Sequence, residues 1–279
     1  MKYLKIILIT LVALVIFLAA AFHIFSRVKS TRSILKVVGD SYVVDYKTYE
    51  DVTYRYLAPV NFDANKSTLL FIHGAIGSLL DFKKLITDDV VSETYNMLSF
   101  DRPNYGDIYD ENYEHDIAFE SEIALDVLSD YTSNEKNIVV GYSYGGPIAM
   151  ITQFDESVDE VVLVAPAVDP ESEVVPVLIE LYKNKYTRFL VPRIWKEASQ
   201  EKINHVEDLL EIVPLWSLVE KPIVHIHGTK DSLVPYSETF SFLDEHISSD
   251  MYSHIPVSGK GHAFVFSEKE VFTNLFLKK

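Results

Sequence analysis

The chain has 279 residues, of which 48% are hydrophobic, and this is enough for one large domain with a sizeable core. Its net charge of −16 argues against nucleic acid as a partner, because an acidic surface repels phosphate and mainly keeps a protein soluble. The lack of cysteine excludes disulfide bonds, cysteine-based metal sites and a cysteine-linked lipid anchor.

The first element is an apolar segment long enough to cross a membrane. Residues 6–22 contain no charged residue and only one polar residue, Thr10, and a helix of this length spans a bilayer. The alanines at 19–21 could serve a signal peptidase, but the apolar run is longer than a usual signal-peptide core, so we favour a retained anchor. We expect residues 1–33 to form an anchor and linker, with the following domain outside the cytoplasm because the N-terminal tail is very short.

Two stretches rich in β-branched and aromatic residues follow, at 42–44 and 52–57, and they predict a β-hairpin. From residue 67 onwards, short apolar strands alternate with helical periods. This alternation is typical of a parallel sheet with helices on both faces. The predicted strands are residues 69–72, 95–100, 137–140, 158–164, 222–226 and 251–257. The sequence therefore predicts an α/β fold for residues 34–279.

The alternation of strands and helices breaks between residues 164 and 222, a stretch too long for a simple connection. Apolar residues at helical spacing run from Val174 to Tyr182, and Trp195 and Trp216 follow among charged residues. We expect residues 169–217 to form a helical lid over the carboxyl ends of the strands, where parallel sheets bind ligands. The aromatic residues of this segment suit either core packing or contact with substrate.

A Gly-x-Ser-x-Gly turn is the most informative feature of the sequence. A β-branched run at 138–140 ends at Gly-Tyr-Ser-Tyr-Gly (141–145), and a helix of small and apolar residues follows. The glycines allow close passage of the backbone around a strained central residue, so the turn lifts Ser143 above the sheet edge. The predicted oxyanion donors are the backbone N–H groups of Tyr144 and of Ala75, which lies in a second glycine loop. We predict that Ser143 is a nucleophile.

Two polar residues beyond other strand ends complete a predicted triad with Ser143. A serine hydroxyl needs a base to remove its proton, and the base needs an acceptor for its other ring N–H. His262 suits the base and Asp231 the acid, because both lie in glycine loops and follow the order nucleophile, acid, base. Asp169 also follows a strand, but its place before a proline is typical of a turn, so we favour Asp231.

The other histidines do not indicate a second site. His225 and His227 alternate on one strand and could ligate a metal from the same face, but no carboxylate or third histidine is grouped with them. His73 is predicted to hold its glycine loop by a local hydrogen bond. His115 and His205 belong to no motif and are expected to be packing or surface residues. We predict neither a metal nor a cofactor.

Together these motifs resemble the α/β-hydrolase superfamily, over residues 35–279. The matching segments are His73-Gly74 with Gly77-Ser78, Phe-Asp-Arg-Pro-Asn-Tyr-Gly at 100–106, Gly-Tyr-Ser-Tyr-Gly-Gly at 141–146, His-Gly-Thr-Lys-Asp at 227–231 and Gly261-His262. The resemblance implies an eight-stranded, mostly parallel sheet with a helical cap, and a Ser-His-Asp mechanism through a covalent acyl-enzyme without cofactor. Asn104 stands where relatives often carry glycine. Relatives that open epoxides or remove halide use an aspartate nucleophile, so a serine argues against those activities.

Within the serine branch of the superfamily, we expect a hydrolase that cleaves a carboxylic ester. The apolar lid and the acidic surface favour an uncharged or hydrophobic acyl group. A carbon–carbon bond hydrolase or an acyltransferase on the same triad is the enzymatic alternative, and a non-catalytic, membrane-tethered binding protein is a different class. The expected partners are a small apolar ester and, through the N-terminal helix, a membrane.

Overall fold

An eight-stranded sheet forms the centre of the domain in the computed structural model, which describes residues 2–172 and 178–277. The strands are β1 (Tyr42–Tyr49), β2 (Val52–Pro59), β3 (Ser67–Ile72), β4 (Tyr95–Phe100), β5 (Asn137–Tyr142), β6 (Glu160–Val164), β7 (Ile223–Gly228) and β8 (Tyr252–Val257). Their order in the sheet is β1-β2-β4-β3-β5-β6-β7-β8. β1 pairs antiparallel with β2 and β2 with β4, while all other neighbouring pairs are parallel. The predicted α/β fold with a mostly parallel sheet is confirmed.

Both faces of the sheet are covered, because its central strands are apolar on both sides. In β3, Leu69 and Phe71 contribute to one core cluster while Leu70 and Ile72 contribute to the other. All four side chains are fully buried. Burial on both faces explains why these strands are continuous apolar runs and do not alternate with polar residues.

The described helices are α1 (Lys2–Phe25), α2 (Thr31–Val38), α3 (Lys83–Ile86), α4 (Asp89–Thr94), α5 (Ile117–Ser129), α6 (Gly145–Thr152), α7 (Leu178–Lys183), α8 (Arg193–Ile212), α9 (Tyr236–His246) and α10 (Lys269–Leu277). α2 lies partly in the segment that the sequence analysis treats as linker. Ser30 caps it by accepting the backbone N–H of Ser33, and Ile34 and Val38 are buried. The last helix, α10, begins at Lys269 and follows a 3₁₀ turn at His262–Phe266.

An insertion, residues 165–222, connects β6 to β7, and its described part is mainly helical. It contains α7, a 3₁₀ turn at Arg188–Leu190, the long helix α8 and a second 3₁₀ segment at Val213–Leu218. The predicted apolar positions at Val174 and Val177 lie outside the described residues. Trp216 is fully buried and belongs to the core, whereas Trp195 is half-buried on α8.

Among the described residues, one helix is long and apolar enough to cross a membrane, and this helix is α1. None of its residues is buried, and contact with the rest of the protein begins only near its C-terminal end. There, the ring of Phe22 lies 5.5 Å from that of Trp195, and the indole Nε1–H of Trp195 donates to Ser26 Oγ at 3.1 Å.

Candidate active site

Ser143 occupies a strained turn between β5 and α6. Its φ is +54°, a left-handed conformation that is uncommon for residues other than glycine. The flanking glycines are required by space: a Cβ at Gly141 would lie 2.2 Å from Gly145 O, and a Cβ at Gly145 would lie 2.5 Å from Ile72 O. The turn can therefore form only with glycine at both positions, and it presents the Ser143 hydroxyl at the N-terminus of α6.

The structure brings Ser143, His262 and Asp231 together. His262 Nε2 lies 3.0 Å from Ser143 Oγ, and His262 Nδ1 lies 2.7 Å from Asp231 Oδ2. The other carboxylate oxygen of Asp231 accepts the backbone N–H groups of Leu233 and Val234 at 3.0 Å. These distances are those of hydrogen bonds that can orient a base towards a nucleophile.

Several hydrogen-bond donors stabilise the negative charge of Asp231. Burial alone would raise the pKa of Asp231, but hydrogen bonds from His227 and His262 and the backbone N–H of Val234 outweigh it, so this pKa falls well below its ordinary value. The carboxylate therefore stays ionised and faces the Nδ1 of His262. An ionised partner at this position favours the imidazolium that forms when His262 takes a proton.

Asp169, the alternative to Asp231, makes a different hydrogen bond. Asp169 Oδ1 accepts the backbone N–H of Glu171 at 2.9 Å, which is the turn predicted from the sequence. Ala75 and Tyr144, the two predicted oxyanion donors, line the same pocket as Ser143. The loop that carries Ala75 passes so close to the nucleophile that a Cβ at Gly74 would lie 2.9 Å from Ser143 Cβ.

A second histidine contacts Asp231 from behind, and the sequence analysis missed it. His227 Nε2 lies 3.1 Å from Asp231 Oδ2 and 3.1 Å from the carbonyl oxygen of Val234. Both partners can only accept, so this nitrogen carries the proton. His227 stands four residues before Asp231 in the same strand-to-loop segment, and this spacing was the signal that could have revealed the contact.

The hydrogen-bond chain continues away from the site through β7 and β8. His225 Nε2 lies 3.0 Å from His227 Nδ1, and Tyr252 Oη lies 2.7 Å from His225 Nδ1. Burial and the neighbouring His227 and His254 lower the pKa of His225 well below its ordinary value, so it has a single ring N–H. His227 can then accept at Nδ1 from His225 and donate from Nε2 to Asp231. The two histidines are therefore linked to Asp231 by a continuous chain of hydrogen bonds.

Ser143 opens into an apolar pocket of about 600 Å³ under the insertion. Ser143 and His262 lie at one side, and Ile179, Trp195 and Ala198 of the insertion form part of the opposite wall. His205 of α8, which was expected to be a packing or surface residue, also lines the pocket. Such a cavity suits a ligand with a substantial apolar part.

A buried ion cluster fastens the insertion to the core beside this pocket. Arg102 Nη1 lies 2.8 Å from Glu120 and 2.7 Å from Glu201 of α8, and His115 Nδ1 lies 2.7 Å from Glu120. Glu197, also on α8, lies 3.4 Å from His115 Nε2. The residues come from three distant parts of the sequence, so no local pattern predicted the cluster.

The cluster contains two cations and three carboxylates, and these opposite charges shift the pKa values of His115 and Glu120. Burial alone would lower the pKa of His115, but Glu201, Glu120 and Glu197 raise it to about 10. Burial alone would raise the pKa of Glu120, but Arg102 and His115 lower it to about 2. Ligand atoms of His115, Glu120 and Glu201 lie within 4.8 Å of one another. Because Arg102 already bridges both carboxylates, a metal ion would have to displace a buried guanidinium.

The sequence also predicts a local hydrogen bond for His73, in the loop after β3. His73 Nδ1 lies 2.6 Å from Gly74 O, and His73 Nε2 accepts the backbone N–H of Arg102 at 3.0 Å, so His73 does hydrogen-bond locally as predicted. Burial and Arg102 lower the pKa of His73 to about 3.

Asn104 has φ +65°, which explains why glycine suits this position and why asparagine is tolerated there.

A family model described as the alpha/beta hydrolase family matches residues 69–273 of the chain. The chain belongs to the α/β-hydrolase family. A search of the curated proteins finds no significant match to this α/β hydrolase.

Several solved structures share the fold of this α/β hydrolase at low sequence identity. A candidate lipase from Acinetobacter baumannii AYE is 16% identical, covers 90% of this chain and 96% of its own, and gives a TM-score of 0.64. A bacterial membrane phospholipase A is 16% identical over 100% of this chain and 98% of its own, with a TM-score of 0.57. A meta-cleavage product hydrolase from Pseudomonas fluorescens IP01 is 18% identical over 84% and 96%, with a TM-score of 0.62.

Proposed function

We propose that this α/β hydrolase is a serine hydrolase that cleaves a carboxylic ester. The observation that carries the proposal is the unbroken pair of hydrogen bonds from Asp231 through His262 to Ser143 Oγ, at 2.7 and 3.0 Å, beside an apolar pocket. A serine hydroxyl becomes an effective nucleophile when a base is positioned in this way.

The proposed reaction has two halves. Ser143 Oγ attacks the ester carbonyl while His262 Nε2 takes its proton, and the tetrahedral oxyanion is stabilised by the backbone N–H groups of Ala75 and Tyr144. His262 then gives the proton to the departing alcohol, leaving an acyl group on Ser143. A water molecule, deprotonated by His262, hydrolyses this acyl-enzyme and restores the serine. Asp231 keeps His262 in the required tautomer throughout.

The substrate class follows from the lining of the pocket. Most side chains that face the cavity are aliphatic or aromatic, so an uncharged, hydrophobic acyl group is the best fit. The insertion covers this cavity, and within it we assign a lid function to residues 169–217. α1 is assigned as a retained membrane anchor, with residues 34–279 as the catalytic domain outside the cytoplasm.

Two measurements test the chemistry. The full-length protein should react with a fluorophosphonate probe at Ser143 and hydrolyse a short-chain p-nitrophenyl ester, and Ser143→Ala should lose both properties while keeping its fold. An unlabelled wild-type protein with a native circular dichroism spectrum would favour the non-catalytic binding protein. Unchanged ester turnover by Ser143→Ala would exclude Ser143 as the nucleophile.

The orientation in the membrane can be tested by labelling, since the chain has no cysteine. Phe154 is 45% exposed and lies at the amino edge of the sheet, where a cysteine can replace it without touching the site. A membrane-impermeant maleimide should label Phe154→Cys in intact cells if the domain lies outside the cytoplasm. Labelling only after the cells are opened would show the opposite orientation.

A further inference from the structure

The end of α1 touches the wall of the catalytic pocket. Phe22 packs against Trp195 with ring centroids 5.5 Å apart, and Ser26 accepts the indole N–H of Trp195 at 3.1 Å. Trp195 also lines the pocket that contains Ser143. A single side chain therefore separates the proposed anchor from the cavity in which the reaction would occur.

The chain that leaves α1 is held in place on a second side. Arg55 donates from Nη1 to the carbonyl oxygen of Lys29 at 3.0 Å, and its guanidinium pairs with Asp101 at 2.6 Å. Both Arg55 and Asp101 are buried. These bonds fix the exit of α1 relative to the domain, with Trp195 on one side and Arg55 on the other.

The length of α1 places its last turns at the surface of a bilayer. Its 24 residues span about 36 Å, compared with about 30 Å for the hydrocarbon core of a membrane. Lys2 and Lys5 lie near one end and Arg27 lies just beyond the other, so the apolar turns can fill the hydrocarbon while the charges stay outside. Trp195 would then lie at the headgroup level, where tryptophan is enriched in membrane proteins.

The segment just before Trp195 has the composition of a membrane-binding surface. Residues 181–190, which we call the basic strip, contain no acidic residue. Within the strip, the side chains of Tyr186 and Phe189 are 75% and 69% exposed. The exposed cations of the strip are Lys183, Lys185 and Arg188. Exposed aromatic rings combined with cations suit the interface of an anionic bilayer, where both groups bind favourably.

The charge distribution of the whole chain points to the same face. Residues 1–39 carry six Lys and Arg residues, residues 181–196 carry five, and neither stretch contains Asp or Glu. All 41 acidic residues lie elsewhere in the chain. An anionic membrane therefore repels most of the surface and attracts the two stretches that meet at the Phe22–Trp195 contact.

We propose that the basic strip docks on an anionic lipid bilayer and that the pocket behind Trp195 receives an acyl chain of a membrane lipid ester. The second part rests on the proposed ester hydrolysis, whereas the first does not. Ile76, Leu233 and Phe266 line the pocket and are also exposed, so they provide an apolar rim between the surface and Ser143. A lipid acyl chain could follow this rim without crossing water.

Docking can be measured without any catalysis, because the chain has two tryptophans in different environments. The full-length protein is reconstituted in vesicles of phosphatidylcholine and phosphatidylglycerol that contain lipids brominated close to the headgroup. Trp195 should be quenched and the fully buried Trp216 should not. In Trp195→Phe, which keeps a ring against Phe22, the quenched fraction should disappear. Equal quenching in the wild type and in Trp195→Phe, or none in either, would overturn the docking.

The substrate class is tested with two ester substrates and three variants. The wild type should release fatty acid from vesicle phosphatidylglycerol and also cleave a water-soluble short-chain ester. A spacer of about ten Gly and Ser residues between Arg27 and Val28, with a root-mean-square length of about 17 Å, would free the domain from the surface. The rate of lipid hydrolysis should fall at least tenfold in this spacer variant and in a double Tyr186→Ser, Phe189→Ser variant. The rate of soluble-ester hydrolysis should not change in either. Phe154→Ser is the matched control and should lose neither.

The outcomes separate this inference from the proposed function. Unchanged lipid hydrolysis in both variants would overturn docking through the basic strip, and a wild type that cleaves the soluble ester but no bilayer lipid would overturn the lipid substrate. A wild type that cleaves neither ester and takes no fluorophosphonate label at Ser143 would overturn the proposed function, and quenching of Trp195 would still decide the docking.

Discussion

His227 Nε2 lies 3.1 Å from Asp231 Oδ2, so the carboxylate that orients His262 accepts a bond from a second histidine on the same oxygen. With the two backbone N–H groups on Oδ1, four donors surround Asp231. A carboxylate with this many donors has a fixed position and a stable charge.

We therefore expect His227→Ala to lower kcat for a short-chain ester by roughly tenfold to a hundredfold, since a hydrogen bond to a charged group contributes about 1.5–3 kcal/mol. His227→Gln, whose amide can still donate, should recover part of the rate. The pH profile of kcat distinguishes a positioning role from loss of fold, because weaker orientation of His262 would shift its acidic limb. Full kcat in His227→Ala would show that the bond from His227 to Asp231 does not contribute to the rate.

Gly74 should be intolerant of substitution because its backbone passes close to Ser143. A Cβ there would lie 2.9 Å from Ser143 Cβ and 3.1 Å from Tyr142 O. We expect Gly74→Ala to lower ester turnover and fluorophosphonate labelling at least tenfold. Gly259→Ala is the control: it has φ +73° and open space around it, so its activity should be unchanged at a cost of about 1–2 kcal/mol in unfolding free energy. Equal activity of the two variants would contradict the crowding at the nucleophile.

Arg102 should be one of the most sensitive positions for stability. Arg102→Met leaves Glu120 and Glu201 buried without their shared cation, and breaking a buried ion pair in this way costs about 3–5 kcal/mol. Arg188→Met, at an exposed arginine, should change the unfolding free energy by less than about 0.5 kcal/mol. Denaturant unfolding of both variants measures the difference. Similar midpoints for the two would mean that the cluster adds nothing to stability.

The stability of the protein should fall in alkali because of His115. Its pKa is raised from 6.5 to about 10 in the folded protein, so its contribution is complete below pH 6.5 and is lost as the pH rises towards 10. We expect the unfolding free energy to decrease by roughly 1–3 kcal/mol over this range. His115→Gln should be less stable at pH 6 but show a flatter profile. A parallel profile in this variant would assign the alkaline loss to other groups.

Glu120 produces a separate effect in acid. Its pKa is lowered from 4.5 to about 2, so its contribution is present above pH 4.5 and disappears as the pH falls through 2. Glu120→Gln should remove this acid-dependent part of the unfolding free energy, and it should also reduce the alkaline part, because Glu120 is one of the carboxylates that raise the pKa of His115.

The sheet and the residues around Ser143 could be predicted because their signals are local. The six strands predicted after the hairpin fall within two residues of their observed bounds at every end, since buried parallel strands are short apolar runs bounded by turns. The Gly-x-Ser-x-Gly turn depends on close approaches at Gly141 and Gly145 that any chain with this fold must make. Asp231 and His262 follow strand ends, and parallel strands bring those ends to one edge.

The features that could not be predicted depend on pairing across the fold. Arg102 bonds Glu201, which is 99 residues away, and nothing in either local sequence names the other as partner. α2 is only eight residues long, and its apolar side chains are too few to distinguish a helix from a linker. His227 was considered only as a metal ligand, because the strand pattern gives the face of a side chain and not its distance from a loop.

The buried ion cluster means that the insertion cannot be exchanged as a module. A chimera that received the insertion of another α/β hydrolase would keep Arg102, His115 and Glu120 in its core and lose Glu197 and Glu201. Arg102 would then keep only one of its two carboxylate partners, and His115 would lose two of the three carboxylates that raise its pKa. The insertion and the loop after β4 must therefore change together in evolution, and a grafting experiment needs to transfer both halves of the cluster.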